Sequence, residues 1–194
     1  MKNTGLLFGS FNPIHIGHLA LANYLLEYAP FDELWFIVSP QNPFKNENDL
    51  APPHHRLEMA RLAVREEPRF SVKDVEFHMP RPSYTINTLG KLSESSPSRK
   101  FSLIIGSDNL HTIKRWTGSA DILAHFPLVV YPRPGFPVEK NTRLPSQNTK
   151  IFDPPLLDIS STFIREGIRE GKQLRYFVPA DVYDYIISNN LYYK

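Results

Sequence analysis

Gly9-Ser10-Phe11-Asn12-Pro13-Ile14-His15-Ile16-Gly17-His18 joins two very different segments. Before it lies a short apolar run, Gly5 to Phe8; after it an apolar-periodic segment runs from Leu19 to Tyr28. That pattern reads as strand, tight turn, helix. Such a junction aims backbone N–H groups and the positive end of the helix dipole at one point, and phosphates bind there. His15 and His18 add side-chain donors at that point, one N–H each when neutral and a charge when protonated. Gly17 removes a side chain where a phosphate must approach. Asn12 and Pro13 suit the turn itself. A single histidine here would read as ordinary surface; the ten residues together predict a nucleotide-binding turn.

Strands and helices alternate from this point onward. Glu33–Val38 reads as a buried strand that ends in the turn-rich Ser39-Pro40-Gln41-Asn42-Pro43. A helix is predicted from His54 to Glu66, stopped by Pro68, followed by short strands at Phe70–Val72 and Val75–Phe77. Thr85–Leu92 reads as a helix and Ser93–Lys100 as a polar loop. Phe101–Ile105, the most hydrophobic strand of the chain, ends in Gly106-Ser107-Asp108 and a short helix through Trp116. Leu128–Tyr131 and Ile151–Phe152 are further strands, Gly135–Asn148 a surface loop, and Ser160–Glu170 and Pro179–Asn189 the last helices. Alternation of this kind predicts an α/β fold with a doubly wound parallel sheet of the Rossmann-like kind. In such sheets ligands bind beyond the carboxyl ends of the strands, where both the Gly9 and the Gly106 turns fall.

Bulk properties narrow the function. The 194 residues predict one domain spanning 1–194, able to bury roughly 70% of its unfolded surface. A net charge of +2 is too small for a dedicated nucleic-acid binder, and suits small phosphorylated ligands. The absence of cysteine excludes disulfides, thiolate catalysis and cysteine-bound metals. Leu6-Leu7-Phe8 is too short for a signal peptide or a membrane span, which predicts a cytoplasmic protein without a membrane partner. The 18 prolines, about twice average usage, predict stiffened loops over a site.

Further clusters carry chemistry. Ile159-Ser160-Ser161-Thr162-Phe163-Ile164-Arg165 places three hydroxyls at a predicted helix start, where one at least reads as an N-cap. Arg165, one turn in, can grip a phosphate at the same helix mouth. In Pro82-Ser83-Tyr84-Thr85-Ile86-Asn87-Thr88-Leu89, Tyr84, together with the distant Trp116, reads either as core or as a flat aromatic face for a heterocycle, with Thr85 adding polar contacts. Asp108 reads as a ribose acceptor or as a helix cap. Lys45, His55 and Arg56 are candidate phosphate-facing cations or solvated surface.

These residues resemble a known group. The Gly9–His18 and Ile159–Arg165 strings look like the two signatures of the nucleotidyltransferase superfamily with the His-x-Gly-His motif. Within it the chain most resembles the bacterial nicotinate-nucleotide adenylyltransferases. The supporting stretches are the Tyr84-Thr85 segment, Ile104–Asp108 with Trp116, Val129–Gly135, and Val178-Pro179 through Tyr185-Ile186 to Leu191-Tyr192. Phosphopantetheine adenylyltransferases and cytidylyltransferases share the first signature without the Tyr84-Thr85 and Trp116 stretches. Aminoacyl-tRNA synthetases share the tetrapeptide His15–His18, in longer and more basic chains.

The resemblance implies transfer of AMP from ATP to nicotinate mononucleotide, giving deamido-NAD and pyrophosphate. It implies catalytic roles for His15, His18 and Arg165. It implies ATP contacts from Gly9, Ser10, Phe11, Gly17, Ser161, Thr162, Gly106 and Asp108, the last two facing ribose. Nicotinate mononucleotide contacts would come from Tyr84, Thr85, Trp116 and Lys45. Thr117 stands where the family pattern leads one to expect an aromatic residue. No dense Asp/Glu cluster is present, so Mg²⁺ is expected on the ATP phosphates with no protein metal site. A monomer or homodimer is expected.

Overall fold

The computed structural model describes residues 1–41, 50–110, 112–139 and 142–193. Six strands, β1 (Lys2–Gly9), β2 (Glu33–Val38), β3 (Phe70–Lys73), β4 (Arg99–Gly106), β5 (Leu128–Tyr131) and β6 (Thr149–Ile151), form one sheet. Its order is β3-β2-β1-β4-β5-β6, and every pairing is parallel. The helices are α1 (Ile16–Tyr28), α2 (Pro53–Val64), α3 (Thr85–Ser95), α4 (Ser107–Leu110), α5 (Ser119–His125), α6 (Ser161–Arg169) and α7 (Ala180–Ser188).

The strands read as unbroken apolar runs because both of their faces are covered. Successive side chains of a strand point to opposite faces. Leu7 and Phe36 accordingly join a core with α1, α2, α6 and α7, through Leu25, Met59, Ile164 and Val182. Their neighbours Leu6, Trp35 and Ile37 join a second core with α3 and α5, through Leu89 and Ile122. The chain leaves β1 toward β2 on one side and later returns to place β4 on the other, so the crevice between these two strands opens at their carboxyl ends.

Beyond shifts of a few residues at element ends, the structure departs from the sequence pattern in four places. Val75–Phe77 is no strand: Val75–His78 forms a 3₁₀ turn after edge strand β3, and it buries Glu76. Glu76 accepts hydrogen bonds from Ser83 Oγ (2.7 Å) and Thr88 Oγ1 (2.9 Å), contacts that no local pattern encodes. Helix α3 continues to Ser95 and β4 begins at Arg99, which shortens the expected polar loop. The last strand sits at Thr149–Ile151, two residues earlier than expected. Before Trp116 the chain forms α4 and a 3₁₀ turn at Ile113–Arg115, and α5 follows where no helix was expected.

Candidate active site

The turn after β1 is held from within and from afar. Phe11 adopts φ +45°, uncommon for an aromatic residue, and its ring is buried against Phe36 and edge-on to His18. His15 caps α1, and its backbone N–H donates to His18 Nδ1 at 3.2 Å. That acceptor role places the proton of a neutral His18 on Nε2. The two imidazoles lie 3.7 Å apart between ring centroids. Gly17 makes room for this pair, since a Cβ there would stand 3.1 Å from His15 Nδ1. His15 is 5% exposed. Burial, and then the positive charge of Arg133, push its pKa down to about 4, so at neutral pH it is an uncharged imidazole.

Helix α6 reaches this turn across most of the chain. Ser160 is the cap, accepting from the Phe163 N–H at 3.1 Å. Ser161 Oγ donates to the Pro13 carbonyl (2.9 Å), and Arg165 donates to the Asn12 carbonyl (3.0 Å) and to Thr162 Oγ1 (3.4 Å). The two sequence signatures therefore meet, and the first turn of α6 faces the same cleft as the mouth of α1. That cleft, about 470 Å³, is lined by His15, Gly17, His18, Asp108, Arg133, Thr162 and Arg165, with an apolar wall from Pro154 to Leu157.

The end of β4 forms the floor. A Cβ at Gly106 would lie 2.6 Å from Arg133 Nε and against the Asp108 carboxylate, so a side chain there would push these groups away from the strand end. Arg133 pairs with Asp108 at 3.2 Å and donates to the Tyr131 hydroxyl. Ser107 Oγ accepts from the Arg133 N–H and donates to the Phe136 carbonyl. In the sequence Pro132-Arg133-Pro134-Gly135 marks the close of a strand and part of the family resemblance, and nothing there singles out Arg133 as lining the cleft.

A second cleft, about 400 Å³, lies on the other side of the same strand ends. Phe8, Gly9, Tyr84, Thr85, Asn109, Arg115, Trp116 and Thr117 line it. Tyr84 caps α3 and Thr85 opens it, so the mouth of that helix lies at the cleft. The buried Glu76 carboxylate, pinned by Ser83 and Thr88 on either side of Tyr84-Thr85, fixes how the helix enters. Tyr84 is 41% exposed and stands as a cleft wall, whereas the half-buried Trp116 both packs against the core under α3 and α5 and lines the cleft.

Two of the candidate cations turn out otherwise. Arg56 is fully buried and faces no phosphate site: it donates to the carbonyls of Ser10, Ser39, Pro40 and Ala51, tying the ends of β1 and β2 to α2. An arginine satisfied by carbonyls alone gives no charge pattern that a sequence could show. His55 pairs with the Tyr185 hydroxyl of α7 at 2.9 Å. Lys45 lies outside the described residues.

A parallel sheet with this switch point, and a histidine-bearing helix mouth at it, define a nucleotide-binding α/β protein of the nucleotidyltransferase kind. The cytidylyltransferase-like family matches residues 6–167. Proteins named probable nicotinate-nucleotide adenylyltransferase are similar throughout. That of Bacteroides fragilis is 54% identical over 95% of this chain and 91% of its own length, and that of Porphyromonas gingivalis 47% over 97% and 95%. The chain belongs to the cytidylyltransferase-like family and, within it, to the nicotinate-nucleotide adenylyltransferases. A solved structure of Plasmodium falciparum nicotinic acid mononucleotide adenylyltransferase complexed with NaAD shares the fold, with TM-score 0.83 at 22% identity over 99% of this chain and 98% of that one.

Proposed function

We propose that the chain transfers the adenylyl group of ATP to nicotinate mononucleotide, forming deamido-NAD and releasing pyrophosphate. The observation that carries this reading is the meeting of the two signatures: Ser161 and Arg165 bond the carbonyls of Pro13 and Asn12 beside His15 and His18. The site offers donors and positive charge, and the nucleophile needs no general base. A phosphate monoester, with its second pKa of about 6, is already mostly dianionic near neutral pH. One of its oxygens attacks the α-phosphorus as the bond to the bridging oxygen breaks and pyrophosphate departs. Catalysis then rests on positioning and on stabilising the charge that spreads toward the leaving group.

Within this reading ATP lies in the larger cleft. His15 and His18 donate to its phosphates, with the turn backbone at Gly9, Ser10 and Phe11 alongside and Gly17 leaving them room. Thr162 and Arg165 hold the β/γ side. Because Ser161 Oγ is engaged with Pro13, its contribution is to brace the turn, leaving its backbone N–H for phosphate. Gly106 and Asp108 face ribose. Leu156 and Leu157, 58% and 46% exposed, offer the flat apolar wall that an adenine ring would cover. Nicotinate mononucleotide lies in the second cleft, its ring on Trp116 and beside Tyr84, its carboxylate at the α3 mouth at Thr85. Thr117, where the family pattern leads one to expect an aromatic residue, serves through its backbone.

Among the described residues no three His, Asp or Glu side chains converge to hold a metal. Mg²⁺ would enter with ATP, and there it would supply charge neutralisation on the triphosphate beside the donors His15, His18 and Arg165. No helix among the described residues is long and apolar enough to cross a membrane. The proposed setting is the cytoplasm, with small nucleotides as partners, no nucleic acid, and a monomer or homodimer.

The test is pyrophosphate release with ATP and Mg²⁺, offering nicotinate mononucleotide, nicotinamide mononucleotide and phosphopantetheine in parallel. Release well above the others with nicotinate mononucleotide is expected; release with phosphopantetheine alone would overturn the acceptor. Inversion at the α-phosphorus is expected for direct transfer, and retention would rule it out.

A further inference from the structure

Residues Asn190–Tyr192 make contacts that the proposed reaction does not itself require. After α7 the backbone reverses through Asn190 (φ +50°), whose N–H donates to the Ile187 carbonyl. Leu191 is buried, and its N–H donates to the Ile186 carbonyl. Tyr192 follows at φ +70°. Among the described residues only three non-glycine positions have positive φ: Asn190, Tyr192 and Phe11 in the phosphate turn. Conformations that L-residues rarely adopt persist where surrounding contacts over-determine them. Here the two strained segments touch. Tyr192 Oη donates to Asn12 Oδ1 at 2.9 Å, 180 positions away, and the Ala51 N–H donates to the same oxygen at 3.0 Å.

The consequence falls on the turn. Ser10, Asn12 and Pro13 are each gripped by a distant donor: Arg56 on the Ser10 carbonyl, Arg165 on the Asn12 carbonyl, Ser161 on the Pro13 carbonyl. Those grips hold backbone carbonyls. Tyr192 and the Ala51 N–H take the Asn12 side chain, and with both on Oδ1 the amide can face only one way. Burial raises the Tyr192 pKa even with Arg165 and Arg56 close by, so the phenol keeps its proton and donates.

We propose that Tyr192 is a positioning residue for adenylyl transfer. Its hydroxyl locks the Asn12 amide and with it the turn from Ser10 to His15, so the C-terminal segment completes the phosphate site without touching substrate. This rests on the adenylyl-transfer reading above. A residue that merely packs the C-terminus would influence melting and not turnover.

Tyr192→Phe removes the hydroxyl and keeps the ring. We expect kcat to fall about fivefold or more, the scale of one lost hydrogen bond, with KM for nicotinate mononucleotide little changed. Hydrogen exchange followed by mass spectrometry should quicken in the peptide spanning Ser10–His15 and stay as in wild type at the centre of the sheet. In an Asn12→Ala background the same substitution should have no further effect on kcat, because the bond it breaks is already gone. Wild-type kcat and exchange in Tyr192→Phe would overturn the proposal, even if the melting temperature fell. So would an undiminished kcat loss in the Asn12→Ala background. Should the wild-type protein itself release no pyrophosphate, the adenylyl-transfer reading fails, and the exchange experiment alone decides the role of Tyr192.

Discussion

The two clefts that flank the carboxyl ends of β1 and β4 are built by opposite means. The cleft at the mouths of α1 and α6 is centred on short-range geometry, to which Asp108, Arg133, Thr162 and Arg165 are brought from distant segments. A strand end, a helix mouth and two histidines three residues apart occupy ten consecutive positions, and distant donors only tighten them. The second cleft is made of side chains from separate segments: Tyr84 and Thr85 at α3, Arg115 and Trp116 before α5, and Glu76 beneath. A subsite for a group common to all nucleotides can be encoded locally, whereas one that selects a particular ring must be assembled by the fold.

Breaking the phosphate cleft should give the largest effect. His18→Ala removes a donor whose orientation the His15 N–H fixes, and it should lower kcat about 10²- to 10³-fold while the protein stays folded. Steady-state kinetics beside a melting curve checks this; a loss confined to KM would place His18 outside the transition state. Breaking the second cleft should act differently. Trp116→Ala should lower kcat/KM about 10- to 100-fold through KM for nicotinate mononucleotide, leaving KM for ATP nearly unchanged. If both KM values rise together, the clefts are not separate subsites.

A smaller effect tests the support beneath the second cleft. Glu76→Ala strands the Ser83 hydroxyl in a buried setting and leaves the Thr88 hydroxyl with its longer bond to the Tyr84 carbonyl, and it should destabilise by about 1–3 kcal/mol, with KM for nicotinate mononucleotide rising more than KM for ATP. Equal changes in both would reduce Glu76 to general packing.

The smallest effect is one of pH. His15 has a folded pKa of about 4 against 6.5 in the unfolded chain, so between those values the unfolded state binds the extra proton. Stability is therefore present above pH 6.5 and is lost as pH falls toward 4; from pH 7 to 5.5 the loss from this residue is about 1 kcal/mol. Urea unfolding at those two pH values should show a smaller difference in His15→Asn than in wild type. Equal differences would mean that burial does not hold His15 neutral.

The sequence by itself determined the doubly wound parallel sheet, through the alternation of apolar runs and periodic helices, and it located the turn between β1 and α1, because both are written in contiguous residues whose physics is local. It placed Ser161, Thr162 and Arg165 on a helix start and marked Trp116 and Thr85. It misread Val75–Phe77 as a strand, and of the two roles it left open for Arg56, phosphate-facing cation or solvated surface, the buried side chain takes neither. Only the tertiary structure decided those cases, and only it brought Arg133 over His15, Glu76 under Tyr84-Thr85, and Tyr192 onto Asn12. Each of these is a polar contact between residues far apart in sequence. Its geometry is set by the sheet order and the packing of helices on it, and neither leaves a periodic or compositional trace along the chain.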